Sequence, residues 1–173
     1  MKFSTRDFLL LLWLLASLIS TSDARPPLFS EGLLATKSSN GKMGYINKSG
    51  DWVLPPKVDR AYEFYSGLAK IKNDGKTMFI QKDGSVAFQC EDKYEYGEFS
   101  RGICTITIRE ERSSDEGKKR GVRKVGAVNL NGDIVISPEY ERLHLSEGLM
   151  KAVKNDKVVF LDKKGIQTID TIF

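Results

Sequence analysis

Apolar and polar residues alternate in short runs from residue 29 to the end of the chain, and turn-favouring polar residues separate the runs. Two positions after each of four glycines stand Leu34, Ala69, Cys104 and Met150, and two positions further on stand Thr36, Ile71, Ile106 and Ala152. A period of two residues predicts β-strands with one side buried. We therefore expect these positions to form an inward face.

Two sets of glycines recur in the same order along the chain. The first set, each member three residues after a large apolar residue, is Gly32, Gly67, Gly102 and Gly148. The second set, each member closing a polar turn, is Gly50, Gly84, Gly132 and Gly165. Because the two sets agree in register, they define four copies of a repeat of about 35 residues, with units at about 29–63, 64–98, 99–144 and 145–173.

Each unit is predicted to contain three strands. Two β-rich runs are joined by turn sequences such as Asn40-Gly41 and Asn155-Asp156, which tolerate the backbone of tight hairpins. A third run follows, as in Trp52-Val53-Leu54, and Pro56 ends it. A unit this small cannot bury its own apolar face, so neighbouring units must stack. The expected fold is all-β, an open array of four three-stranded units resembling a β-solenoid, with a small closed β-propeller as the alternative.

The third unit contains an insertion, Arg109 to Lys124, in which most positions are charged. Such a segment cannot bury apolar surface, so we expect a mobile, exposed loop in place of a short turn. Its basic residues would allow contact with a polyanion, either an anionic glycan or a lipid headgroup, although a solvated loop tip is the simpler interpretation. These residues are Lys118, Lys119, Arg120, Arg123 and Lys124.

The N-terminus has the features of a cleaved secretory signal. Lys2 and Arg6 precede an apolar run from Phe8 to Ile19, and small residues end at Ala24. A membrane anchor is the alternative, but the run is shorter than the roughly 20 residues that a spanning helix needs. Residues 1–24 are thus predicted to be removed, leaving a secreted or extracellular repeat domain at 25–173, periplasmic or at the cell surface in a bacterium. Without residues 1–24, no integral membrane segment is expected.

The run from Gly44 to Pro56 and the link Phe29-Ser30-Glu31-Gly32-Leu33 together resemble the WG-repeat family. In that family a Trp-Gly pair precedes Tyr-Ile-Asp-Lys-Ser-Gly, followed by a Pro-Pro turn. The pair has drifted here to Met43-Gly44, Thr77-Met78, Val125-Gly126 and Val158-Val159. The resemblance covers nearly all of residues 25–173. It implies an all-β repeat protein, often exported or surface-associated, with an interaction role and no shared catalytic motif.

Catalytic and metal chemistry have little support in the sequence. His144 is the only histidine, and no second ligand lies at a useful spacing from it. No nucleophile motif, phosphate loop or dinucleotide fingerprint is present. We therefore expect no enzyme activity and no cofactor, and a cryptic hydrolase is the least favoured function.

Two modifications are compatible with export. Cys90 and Cys104 would be able to form a disulfide in an oxidising compartment, with buried free thiols as the alternative. Asn47 begins the glycosylation sequon Asn47-Lys48-Ser49, although these residues are also ordinary for the turn of this repeat.

Tyrosines in the links between units are the predicted binding residues. Loops of successive units would line one edge of the array, where aromatic side chains anchor protein partners. The tyrosines least explained by core packing are Tyr62, Tyr65, Tyr94, Tyr96 and Tyr140, and the first four are the predicted binding residues. The leading hypothesis is a secreted, noncatalytic module that binds another macromolecule, most plausibly an extracellular protein. Binding to an anionic surface through the basic loop is the second hypothesis, and no nucleic-acid partner is expected.

Overall fold

The computed structural model describes residues 28–113, 119–146 and 148–169, which form strands and no helix. No described segment forms a helix long and apolar enough to cross a membrane. The predicted signal peptide lies outside the described residues, and so does Lys118.

The strands form four antiparallel sheets in chain order, here called sheets 1 to 4. Sheet 1 contains β1 (Leu34–Lys37), β2 (Met43–Ile46) and β3 (Trp52–Val58). Sheet 2 contains β4 (Arg60–Tyr65), β5 (Leu68–Asn73), β6 (Lys76–Ile80) and β7 (Val86–Gln89). Sheet 3 contains β8 (Glu95–Ser100), β9 (Ile103–Ser113), β10 (Lys119–Val128) and β11 (Ile134–Tyr140). Sheet 4 contains β12 (Arg142–Ser146), β13 (Leu149–Lys154), β14 (Lys157–Leu161) and β15 (Gln167–Ile169). The all-β fold and the arrangement in four units agree with the sequence prediction.

The prediction of three strands in every unit is wrong for sheets 2, 3 and 4. The segments interpreted as links form the first strand of the following sheet, namely β4, β8 and β12. In β4 and β8 the register shifts between Ala61 and Phe64 and between Tyr96 and Phe99. A bulge of this kind interrupts the alternation of apolar and polar residues that identifies a strand in a sequence.

Two-residue turns with positive φ angles join β4 to β5 and β8 to β9. In sheet 2 the turn is Ser66-Gly67, with φ values of 55° and 83°. Positive φ at both central residues is what a type I′ hairpin requires, and it explains the glycine in the repeat. Asn155-Asp156, a predicted hairpin turn, has φ values of 51° and 59° without any glycine.

The predicted mobile loop from Arg109 to Lys124 is also wrong, because most of it continues the β9–β10 ladder. Pairing extends from Val128↔Cys104 in the core to Lys119↔Ser113, and only residues 114–118 at its end lie outside the described residues. High charge does not prevent a two-stranded ribbon, since both of its sides can face water. The ribbon also contains an ion pair, in which Lys124 Nζ lies 3.0 Å from Glu110.

Each consecutive pair of sheets shares one hydrophobic cluster. We call the side of a sheet that contacts the next sheet its forward face, and the opposite side its rear face. In sheet 2 the forward face contains Leu68 and Phe79, which pack against sheet 3, and the rear face contains Ala69, Ile71 and Ile80, which pack against sheet 1. The predicted inward positions are therefore the rear face. The middle sheets bury both faces, which the sequence analysis did not predict.

Sheets 1 and 3 share a local feature that the other two sheets lack. A Cβ atom added to Gly44 would lie 2.4 Å from the carbonyl oxygen of Leu54, and one added to Gly126 would lie 2.4 Å from that of Ile136. In both sheets the last strand, β3 or β11, bulges toward the glycine at a proline. The corresponding residues of sheets 2 and 4 are Met78 and Val159. Glycine therefore occurs where the backbone of the neighbouring strand leaves no room for a side chain.

Candidate binding cleft

A cleft of about 640 Å³ opens between sheets 2 and 3 and brings together three of the four predicted tyrosines. Tyr62 lies on β4, Tyr94 lies in the connection between β7 and β8, and Tyr96 lies on β8. All three are partly buried, so each combines a packed ring surface with an accessible one. We call this site the tyrosine cleft.

Lys70 fixes the relation between the two sides of the tyrosine cleft. Its Nζ atom donates a hydrogen bond to the carbonyl oxygen of Tyr96 at 2.8 Å, and it lies 4.8 Å from the centroid of the Tyr62 ring. A cation over an aromatic ring is attracted by the negative face of the ring. Lys70 thus joins a strand of sheet 2 to the first strand of sheet 3 and holds Tyr62 in place.

Tyr94 and Tyr96 form an edge-to-face pair with ring centroids 6.3 Å apart. The Tyr96 hydroxyl accepts a hydrogen bond from the backbone N–H of Glu91 at 3.2 Å, and burial raises the pKa of that hydroxyl. The Tyr96 ring also contacts Phe79 and Phe88, with centroid distances of 6.1 and 6.3 Å. Tyr96 is therefore anchored in the core, while Tyr94 is held by Tyr96 and by Lys93, whose Nζ atom lies 4.8 Å from the centroid of the Tyr94 ring.

The two walls of the tyrosine cleft carry opposite charges. Sheet 2 contributes Arg60 and Lys72, which lie directly opposite each other on neighbouring strands. The other wall contributes Glu91, Asp92 and Glu95, of which the two glutamates already form ion pairs. Like charges placed opposite each other on a sheet repel, so the basic wall is suited to an anionic group on a ligand. Asp92, which forms no ion pair with a described residue, would repel a ligand that is anionic along its whole length.

Asp59 lies at the end of the basic wall but is already engaged. Its Oδ1 atom lies 2.6 Å from Lys42 Nζ, and its Oδ2 atom accepts a hydrogen bond from the Asp74 N–H at 2.9 Å. These interactions, with that of Lys42 the larger, hold the pKa of Asp59 below its usual value. Asp59 therefore contributes less than Arg60 and Lys72 to the recognition of a ligand.

Tyr65, the fourth predicted tyrosine, does not line the tyrosine cleft. It lies at the end of β4, is exposed, and follows the bulge between Ala61 and Phe64. The carboxylate of Glu98 raises the pKa of its hydroxyl. Tyr65 and Tyr62 thus belong to the same strand but have different surroundings.

The predicted basic cluster is spread along the ribbon rather than gathered in one loop. Arg123 and Lys124 are consecutive in β10, so their side chains lie on opposite sides of the ribbon. Lys124 pairs with Glu110, and Arg123 donates a hydrogen bond to the hydroxyl of Thr107 at 3.3 Å. The backbones of Lys119 and Arg120 lie near the end of the ribbon. Contact with a polyanion through these residues stays a prediction.

His144 lies apart from the two cysteines. His144 is exposed on β12 opposite Lys151. Cys90 and Cys104 are free thiols buried in the cluster between sheets 2 and 3, and burial raises the pKa of each to about 12. A thiol with so high a pKa is a poor nucleophile at neutral pH. Within residues 28–113, 119–146 and 148–169, no group of three or more histidine, cysteine or acidic side chains is arranged to hold a metal ion.

The side chain of Asn47 organises its own turn. Its Oδ1 atom accepts hydrogen bonds from the N–H groups of Ser49 and Asp51, at 2.9 and 3.0 Å. Asn129 makes the same two bonds in sheet 3, to Asn131 and Asp133. Turn formation therefore accounts for Asn47, and glycosylation at this residue stays a prediction.

A second groove, of about 520 Å³, lies on the forward face of sheet 4 and was not expected from the sequence. Its lining includes Arg142, His144, Lys151 and Val153. In sheet 2, these repeat positions hold Arg60, Tyr62, Lys70 and Lys72, which line the tyrosine cleft. The second groove is thus the counterpart of one wall of the tyrosine cleft, without a following sheet among the described residues to form the other wall. Only alignment of the repeats in the folded sheets reveals this relation.

Two segments of the chain, residues 43–76 and 126–157, match the family model described as WG containing repeat. The matched segments begin in β2 and in β10, so the repeat defined by sequence is shifted relative to the sheets. They start at Met43 and Gly126, within two of the four positions to which the Trp-Gly pair has drifted. No curated protein and no solved structure matches the chain.

Proposed function

We propose that this chain, two segments of which match the WG containing repeat, is a noncatalytic module that binds a segment of a partner protein in the tyrosine cleft. One observation supports this proposal above the others. Sheets 2 and 3 bring Tyr62, Tyr94 and Tyr96 to the same cleft of about 640 Å³, between walls of opposite charge. Tyrosine is among the residues that contribute most to binding at protein interfaces.

The chemistry of the walls favours a polypeptide ligand over a polyanion. A polypeptide can present a carboxylate to Arg60 and Lys72 and an amine or guanidinium group to Asp92. Asp92 forms no ion pair with any described residue. A sulfated glycan would bring its negative charges close to Asp92 without offering it a cation. Complementary charges on the two walls would also orient the partner.

The proposal includes an open array rather than a closed ring. Each hydrophobic cluster joins consecutive sheets, and the outward faces of sheets 1 and 4 are less buried than the corresponding faces inside the stack. It also includes export, which would expose the module to extracellular partners. Export is inferred from Lys2, Arg6 and the apolar run from Phe8 to Ile19.

The proposal can be tested by selecting ligands for the purified protein from a phage-displayed library of random short peptides. A selected peptide should bind without being chemically altered. We expect Tyr62→Ala and Tyr94→Ala each to weaken its binding by about tenfold or more, as loss of a buried aromatic anchor does. Tyr65→Ala is the matched control, because Tyr65 lies on the same strand as Tyr62 but outside the tyrosine cleft. That variant should bind with unchanged affinity.

Equal losses in all three variants would show that the peptides do not use the tyrosine cleft. A heparin interaction that weakens steeply with salt and depends on Arg123 and Lys124, with no cleft-dependent peptide, would replace the proposal with polyanion binding. Binding of a neutral glycan that depends on Tyr62 and Tyr94 would show that the ligand is a sugar. Each of these outcomes contradicts the proposal of a protein partner.

A further inference from the structure

The three hydrophobic clusters follow one rule: the forward face of a sheet packs against the rear face of the next. The forward positions are Leu33 and Tyr45 in sheet 1, Leu68 and Phe79 in sheet 2, and Ile103 and Ala127 in sheet 3. All six are buried, with at most 8% of each residue exposed. The rear positions are Ala69, Ile71 and Ile80 in sheet 2, Cys104, Ile106 and Val128 in sheet 3, and Met150, Ala152 and Leu161 in sheet 4. These nine have at most 5% of their surface exposed.

The two outward faces at the ends of the stack are less buried than the equivalent faces inside it. The forward positions of sheet 4 are Leu149 and Phe160, and both are only partly buried. The rear positions of sheet 1 are Leu34, Thr36 and Ile46, and these are only partly buried as well. The ends of the described stack therefore expose the two complementary halves of the contact that occurs three times inside it.

Each end face keeps apolar residues at positions that are buried inside the stack, although the forward face of sheet 4 also contains Arg142, His144 and Lys151. Terminal repeats usually present a polar outer side that keeps the array soluble. Here Leu149 and Phe160 lie at one end, and Leu34 and Ile46 lie at the other. The groove of about 520 Å³ beside Lys151 and Val153 further shows that the forward face of sheet 4 has room for another sheet.

A lysine at the corresponding turn of sheets 1, 2 and 4 supports the same conclusion, whereas sheet 3 has Leu130 there. Lys82 Nζ lies 3.2 Å from the carbonyl oxygen of Glu31, and Lys163 Nζ lies 3.0 Å from that of Arg101. Each of these lysines reaches the first turn of the preceding sheet. Lys48 is at the same repeat position in sheet 1, where it is exposed and forms no ion pair with a described residue. It is thus placed to make this contact with a sheet that precedes sheet 1.

We propose that the forward face of sheet 4 docks on the rear face of sheet 1 in a second copy of this chain. The contact continues the internal stacking from one molecule to the next. Because it uses two different surfaces, it is a head-to-tail contact that does not close after two copies and builds longer chains or rings. This proposal does not depend on what binds in the tyrosine cleft.

The test uses sedimentation velocity on the purified protein over a range of concentrations. We expect the wild-type protein to form species larger than a dimer as its concentration rises. Phe160→Asp disables the forward face of sheet 4, and Ile46→Asp disables the rear face of sheet 1, so each variant alone should remain monomeric. An equimolar mixture should form a dimer and nothing larger, because one intact face of each kind remains. Val86→Asp is the control, since Val86 is 56% exposed on an edge strand away from both end faces, and it should associate like the wild type.

Several results would overturn the proposal. A wild-type protein that stays monomeric at all concentrations would show that other residues of the same chain cover these faces. Loss of association in only one of the two variants would indicate a symmetric contact, and a mixture that stays monomeric would exclude a head-to-tail one. Circular dichroism must show that each variant is folded. If an aspartate variant unfolds, Phe160→Ser and Ile46→Ser give the same two-part test with a smaller perturbation.

Discussion

The forward faces of sheets 2 and 4 are built at the same positions of one repeat, yet their surroundings differ. In sheet 2, Phe79 is 1% exposed beneath sheet 3, and Lys70 is bonded to the backbone of that sheet. In sheet 4, the corresponding Phe160 is only partly buried and Lys151 is exposed. Position in the repeat therefore determines which way a side chain points, whereas the neighbouring sheet determines how far it is buried. A binding cleft arises where two sheets contribute different walls.

The largest expected difference between these faces concerns the two phenylalanines. Phe79→Ala should lower the free energy of unfolding by about 3–5 kcal/mol, because it removes a fully buried ring and leaves a cavity. Phe160→Ala should cost about 1–2 kcal/mol, since less apolar surface is lost. Urea unfolding of both variants at a concentration at which the protein is monomeric measures the difference. Equal costs would mean that sheet 4 is covered as fully as sheet 2.

A smaller difference is expected for the two lysines. Lys70→Met removes the hydrogen bond to the carbonyl oxygen of Tyr96 and the cation above the Tyr62 ring. It should lower the free energy of unfolding by about 1–2 kcal/mol, the usual cost of an unpaired acceptor in a partly buried site. Lys151→Met is the matched substitution on the open face and should change stability by less than about 0.5 kcal/mol. The comparison fails if Lys151→Met lowers the free energy of unfolding as much as Lys70→Met does.

The two cysteines buried between sheets 2 and 3 should also make the stability of the protein sensitive to alkaline pH. Burial raises the pKa values of Cys90 and Cys104 from 9.0 to about 12. Between pH 9 and about 12 the folded state binds more protons than the unfolded state. The stabilisation that the buried thiols contribute is therefore fully present below pH 9 and is lost as the pH rises toward 12. The contribution of each thiol is at most about 1.4 kcal/mol per pH unit.

The variant that carries both Cys90→Ala and Cys104→Ala tests this alkaline effect. Its thermal midpoint should fall less steeply between pH 9 and 11 than that of the wild-type protein under reducing conditions. Identical slopes in the two proteins would show that the thiols do not contribute. If the wild-type slope appears only after a reductant is added, the two cysteines form a disulfide under oxidising conditions.

Much of the stacking could be predicted from the sequence. The glycines mark equivalent positions of the repeat units, and the alternation at positions such as Ala69 and Ile71 shows which residues share one face of a sheet. The first strands of sheets 2, 3 and 4 were missed, and in β4 and β8 bulges displace the apolar residues from strict alternation. Burial of both faces of the middle sheets was also missed. Periodicity shows which residues share a side of a strand, but it does not show what covers each side.

The candidate site was predictable only in part. Tyr62, Tyr94 and Tyr96 were identified because core packing in the repeat did not explain them, and they do line one cleft. Tyr65 looked equivalent in the sequence, but it does not line that cleft. The ribbon from Arg109 to Lys124 was interpreted from its charge as a loop, whereas pairing of its two strands satisfies the backbone without any apolar surface. Lys70 gave no signal in the sequence, since its role depends on the carbonyl oxygen of Tyr96 in another sheet.

The central claim is that one kind of contact joins consecutive sheets and leaves a matching half open at each end of the stack. Hydroxyl-radical footprinting read by mass spectrometry tests it most directly, since the rate of side-chain oxidation reports exposure to solvent. In dilute protein, Phe160 should be oxidised several times faster than Phe79, and at concentrations where the chains associate its rate should fall toward that of Phe79. Protection of Phe160 equal to that of Phe79 in dilute protein would contradict the claim.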